Sequence, residues 1–114
     1  MNIQINEFDL FKAISEEIRL RIIVLLADQE LCVCDLMNLL KQPQSSVSRH
    51  MAKLKSSQMV SDRRDGKWVH YRLNSEMNNY LPSFHNMIHE FKNRQPYKSD
   101  HERLIIHLQT KKCE

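Results

Sequence analysis

Cys32-Val33-Cys34 sets two thiols two positions apart, and a thiolate pair is a ligand set for soft, thiol-seeking ions. On an ideal helix that offset turns the two sulfurs about 200° apart, onto opposite faces. An ion holding both must therefore unwind or kink the helix start, and thiolate bonds to soft ions are strong enough to do so. A helix start also lowers a thiol pKa, and the thiolate is the ligand. The competing reading of a bare Cys-x-Cys pair is one buried core cysteine and one incidental one. Structural zinc fits poorly, because four ligands at suitable spacing are not evident.

A second constellation is basic. Between Lys41 and Arg72 stand eight cations, Lys41, Arg49, Lys53, Lys55, Arg63, Arg64, Lys67 and Arg72, against Asp62 and Asp65. The whole chain carries only +3, so the clustering is what points to a polyanion. In the helix after Pro43, Val47, Met51 and Leu54 mark one face. Gln44, Ser45, Ser46, Ser48, Arg49, His50 and Lys53 are the candidate DNA-contacting residues. Gln can bond adenine at two points, Arg can grip guanine likewise, and Ser serves a base edge or a phosphate. Arg63, Arg64 and Lys67 flank the following turn, where long cations reach phosphates and add affinity without sequence information. The alternatives are a solvated basic face, a structural or phosphate-contacting His50, and a packing role for Trp68.

These residues need elements to hold them. A chain of 114 residues, 41% hydrophobic with Gly66 its only glycine, predicts a mainly helical fold around one modest core. Phe8, Leu10, Phe11 and Ile14 predict a first helix over Glu7 to Ile14. Ser15 is the expected cap of a second helix, with Ile18, Ile22, Leu25 and Leu26 on one face. A third helix is expected from about Cys32 to Lys41, broken by Gln42-Pro43, and a fourth follows. Period two then takes over on both sides of Asp65-Gly66, a strong signal for a small β-hairpin. Val69, Tyr71 and Leu73 share one of its faces. Asn74 to Arg94 predicts a long helix with Pro82 in an early turn, and Asp100 to Leu108 a further amphipathic segment. Helix, short turn, helix and basic hairpin in that order is the layout of a winged helix-turn-helix. Residues 1–95 are expected to form that domain, and residues 96–114 a C-terminal extension, partly helical or mobile.

No apolar run approaches the ~20 residues that span a bilayer, and the polar opening lacks a signal-peptide layout, so no membrane role and a cytoplasmic location are expected. In that compartment Cys32, Cys34 and Cys113 are expected as reduced thiols. An enzyme is not expected, since neither a Cys-x-x-Cys redox pair nor a Gly-rich phosphate cradle is present.

Taken together, Glu30-Leu-Cys-Val-Cys-Asp-Leu36, Gln44-Ser-Ser-Val-Ser-Arg-His-Met-Ala-Lys-Leu54 and Asp65-Gly-Lys-Trp-Val-His-Tyr-Arg-Leu73 resemble the ArsR/SmtB family of metalloregulatory repressors. The resemblance spans roughly residues 7 to 75 and is nearest the arsenical-resistance operon repressors. It implies a homodimer paired through the first and last helices that binds double-stranded operator DNA. It also implies release when As(III) or Sb(III) engages Cys32 and Cys34. Many members carry a third cysteine where this chain has Met37, a poorer ligand, which leaves Cys113 as a candidate third sulfur. A cadmium- and lead-sensing branch adds cysteines near its N-terminus, and none precedes Cys32 here. The family's zinc site on the last helix is not reproduced by His85, His89, Glu90, His101 and His107. The alternatives within the same fold are a thiol-redox or persulfide sensor and a Cd/Pb sensor.

Overall fold

The computed structural model describes residues 5–110. Helix α1 (Glu7–Ala13) is capped by Asn6, whose side chain accepts from the Asp9 N–H at 2.9 Å. Glu7 and Asp9 stand in its first turn, where negative charge complements the helix dipole. Leu10 and Ala13 face inward, while Phe8 and Phe11 face out. Ser15 does not cap α2 (Glu17–Leu25), as its position suggests. Its hydroxyl donates back to the Lys12 carbonyl at the end of α1, and Glu16 takes the cap position with extended backbone. Ile22 to Leu26 are all buried, so the second half of α2 is wrapped on every side and forms the centre of the core.

A strand that the sequence pattern did not announce follows: β1 (Leu31–Cys32), two residues long. Helix α3 (Val33–Leu40) starts one residue after Cys32 and ends at Lys41, which adopts the left-handed conformation. Pro43, extended and without an N–H to leave unpaired, opens α4 (Gln44–Ser56). Val47, Met51 and Leu54 are completely buried, as their spacing requires. Strands β2 (Val60–Asp65) and β3 (Trp68–Leu73) form the hairpin, and β1 adds to the far side of β3, giving the antiparallel order β1-β3-β2. Asp65 pairs with Trp68, so the two-residue turn is Gly66-Lys67, one position later than the Asp-Gly expectation. Gly66 carries the positive φ of 63° at the first central position, where glycine costs no steric strain.

The long helix expected from Asn74 is two short ones, α5 (Met77–Tyr80) and α6 (Phe84–Phe91). Pro82 explains the break: it disfavours helix in the residue before it, and Leu81 is extended. Helix α7 (Tyr97–Thr110) lies beyond the expected boundary at residue 95, in the segment expected to be partly helical. It packs on α2 and α3, buries Leu104, and seats the Asp100 carboxylate against Arg21 of α2 through two hydrogen bonds of 2.8 Å. Through Asp100 and Leu104 the helix packs against α2 and α3. The result is a mainly α winged helix-turn-helix, with α3 and α4 as the helix pair and β2-β3 as the wing.

Candidate nucleic-acid interface and thiol cleft

On α4 the residues outside the buried stripe divide by exposure. Gln44, Ser45, Ser48, Arg49 and Lys53 are exposed and form the outward face of the second helix of the pair. Ser46 is partly buried, and its hydroxyl donates to Gln42 Oε1 at 3.0 Å, closing the turn into the helix. His50 does not join the face. It is 6% exposed, with Nδ1 3.3 Å from Arg19 Nη1 and 3.5 Å from Glu16 Oε2. Burial pushes its pKa below the ordinary value; Glu16 opposes the shift, and Arg19 and Arg49 add to it. His50 thus ties α4 to the start of α2, a structural role.

On the wing, Arg63, Arg64 and Lys67 are all exposed. Arg63 is committed within the chain: its Nε and Nη2 reach the Glu30 carboxylate at 2.8 to 3.0 Å, fastening the hairpin to the approach to β1. The Lys67 ammonium lies 5.6 Å from the centre of the Trp68 ring, close enough for cation–π attraction.

The thiol pair is built differently from a helical Cys-x-Cys. Cys32 is the N-cap of α3, with extended backbone at φ −91° and ψ 171°, and only Cys34 lies within the helix. The opposed-face geometry therefore does not apply, and no helical turn has to unwind for both residues to border one space. They do so in a cleft of about 230 Å³ that is also lined by Met37, by Gln44 at the start of α4, and by Lys67 and Trp68 of the wing.

Cys32 is buried, and its thiol is free. Burial pushes its pKa up, and the Asp35 carboxylate adds to the rise while the Asp35 backbone N–H opposes it. The helix start does not win here, contrary to the sequence expectation. Cys34 is disulfide-bonded, where reduced thiols were expected; Cys113 lies outside the described residues. Among the described residues no three His, Cys, Asp or Glu side chains group closely enough to hold a metal ion. The sulfur-bearing residues that border the cleft are Cys32, Cys34 and Met37, and once Cys34 is reduced their sulfurs are soft donors. Such a set suits a thiophilic ion and not a hard one.

One neighbour of Cys32 escaped sequence reasoning. The Asp35 carboxylate, completely buried, reaches back to accept the Cys32 N–H at 2.9 Å and the Cys32 Sγ at 3.2 Å. Its place three residues after the cap is the spacing of a capping box, with aspartate in the role usually taken by glutamate.

Comparison with known proteins agrees with this geometry. The family model for bacterial regulatory proteins of the arsR family matches residues 16–62. The arsenic resistance transcriptional regulator ArsR2 of Pseudomonas putida is 49% identical over 74 residues, 64% of each chain. The arsenical resistance operon repressor of Escherichia coli is 54% identical over 65 residues, 56% of each chain. The chain thus matches between half and two thirds of the length of these relatives. Among solved structures, a homodimeric winged helix-turn-helix DNA-binding domain from Mycobacterium bovis superposes with a TM-score of 0.63. It is 26% identical, over 75% of this chain and 79% of that one. Among the described residues no helix is long and apolar enough to cross a membrane. A winged pair of helices with an exposed polar and basic face on α4, joined to matches of this extent, places the chain in the ArsR family of bacterial regulatory proteins.

Proposed function

We propose that the chain is a cytoplasmic transcriptional repressor that binds operator DNA as a homodimer and lets go when As(III) or Sb(III) is captured by Cys32 and Cys34. The observation that carries this reading is the cleft bordered by Cys32, Cys34, Gln44 and Lys67. An ion seated there presses on the first residue of the reading helix and on the wing at once. Gln44, Ser45, Ser48, Arg49 and Lys53 read or clamp the major groove, and Arg64 and Lys67 hold phosphates beside it. Ser46 and His50 support the helix from within. Each thiol that reacts with arsenous acid forms one As–S bond, and its proton leaves with a displaced hydroxide as water. The relatives' printed roles in arsenic resistance support the choice of inducer.

The test is fluorescence anisotropy of a duplex from upstream of the chain's own gene, with fully reduced protein, titrated with arsenite and separately with cadmium. Tight binding reversed by arsenite is expected. Cys32→Ser and Cys34→Ser are each expected to bind DNA and to ignore arsenite. Release without either thiol, or reversal by cadmium alone, rejects the arsenite reading. A second reading, in which the thiol state itself is the signal, is favoured by one observation: Cys34 is held in disulfide form. On that reading, oxidation and re-reduction switch DNA binding in the absence of any metalloid.

A further inference from the structure

The Asp35 carboxylate has a second end. While Oδ2 accepts from Cys32, Oδ1 lies 2.7 Å from Nε2 of His107 on α7. All three groups are withdrawn from water: Cys32 is 4% exposed, Asp35 0% and the His107 side chain 10%. A carboxylate at that depth persists only with its oxygens hydrogen-bonded. An ionised carboxylate can only accept, so in that state Nε2–H of His107 is the donor. A single carboxylate thus connects the thiol that caps α3 with the final helix, across 72 residues of sequence.

We infer that Asp35 and His107 are positioning residues that latch the Cys32 end of the thiol cleft to α7, so that capture of a thiophile at Cys32 loosens the C-terminal half of that helix. The first half of α7 has its own anchors, Asp100 on Arg21 and Leu104 in the core. Beyond Leu104, Ile105, Ile106 and Leu108 are exposed, and His107 is the inward-facing residue of that stretch. Forming a sulfur–metalloid bond removes the S–H that Cys32 donates to Asp35. The Asp35 carboxylate then loses one of the two hydrogen bonds it accepts from Cys32, and the register it shares with His107 relaxes. The coupling is reciprocal: a change at His107 must alter how readily Cys32 opens.

This inference rests on the proposed function only in taking Cys32 as a capturing thiol, and its first measurement needs neither metalloid nor DNA. In full-length protein carrying Cys34→Ser and Cys113→Ser, kept reduced, the rate at which iodoacetamide alkylates Cys32 is followed by intact mass. A buried thiol reacts through local opening, so the rate reports the latch. His107→Ala is expected to speed alkylation about tenfold, the equivalent of one hydrogen bond lost from the closed state. His107→Gln, which keeps an N–H donor at similar reach, is expected to restore the parental rate. If His107→Ala does not fold, His107→Asn, too short to reach Asp35, takes its place in the comparison. Equal rates in the parent and the donor-less variant, or a Gln variant as fast as the donor-less one, overturn the latch.

The second measurement is hydrogen exchange over residues 104–110 of the reduced natural chain with and without arsenite. Severalfold faster exchange with arsenite, absent in the donor-less variant, supports the coupling. Exchange indifferent to arsenite while DNA is still released overturns the coupling and leaves the repressor reading standing. Faster exchange without DNA release does the reverse.

Discussion

His50 and Lys53 lie three residues apart on α4 and meet opposite fates. Positions 47, 50, 51 and 54 form one helical stripe, so His50 stands in line with the three apolar residues that the sequence assigned to the core, whereas Lys53 projects out. The stripe was legible, and residue type obscured it: a histidine among cations reads as a phosphate contact until its position is weighed. Lys53→Ala is expected to weaken operator binding about equally for every sequence and to flatten the slope of log affinity against log salt by about 0.9, one phosphate's share. A change confined to particular base pairs would instead make Lys53 a reading residue. His50 predicts a pH effect of fixed sign. Its folded pKa lies below the ordinary 6.5 because burial disfavours the charged ring. The unfolded chain therefore takes up the proton first, and the stability His50 contributes is full above about pH 6.5 and falls as the pH drops through the folded value. His50→Gln should lose less of its urea midpoint between pH 7 and pH 5 than the natural chain, and an equal loss in both would place the acid sensitivity elsewhere.

The elements that the sequence exposed are those whose signals are local and repeated. The hairpin follows from two alternating runs about one glycine, and α4 from a proline start and a clean stripe. What escaped depends on distant partners. Two residues of β1 carry no periodicity of their own and exist because β3 offers them an edge, pairing Leu31 with Tyr71 and Cys32 with His70. The thiol cleft follows from that strand, since it is the pairing of Cys32 outside the helix that brings both sulfurs beside the wing. The docking of α7 was equally hidden: Asp100 and His107 look like solvent-facing polar residues until Arg21 and Asp35 are placed opposite them. Their charges are of different worth. Asp100 is 1% exposed and also contacts Arg103, so Asp100→Asn leaves Arg21 facing a neutral amide in a buried site, at a cost of about 3 kcal/mol. Asp62→Asn removes only the partner of the exposed Lys55 and should cost under about 1 kcal/mol. Urea denaturation at one fixed protomer concentration checks both. Similar losses in the two variants would mean that α7 is not held by its buried ion pair.

At the scale of the whole molecule, the large apolar side chains left in water among the described residues lie on α1 and α7. Phe8 and Phe11 on α1 are 71% and 65% exposed, and Ile105, Ile106 and Leu108 on α7 are 48%, 61% and 39% exposed. A monomeric domain rarely leaves so many large apolar side chains in water on two helices, and a two-fold copy of the same surfaces would cover them. Burial is the driving force, so a charge placed on each of these exposed faces should act strongly. Phe11→Glu combined with Ile106→Glu is expected to sediment as a monomer at micromolar concentration with its helical circular dichroism intact, because neither side chain enters the core. DNA tests the same point independently. A dimer holds its second reading helix at a high effective concentration over the second half-site, and losing that link should weaken operator binding about 100-fold or more while sparing non-specific phosphate contacts within each protomer. On the proposed function, titrating the variant with arsenite then separates two routes from the thiol cleft. If the monomer's residual DNA binding is still released by arsenite, the signal runs directly through Gln44 and Lys67. If release is lost with the dimer, it runs through Asp35, His107 and α7.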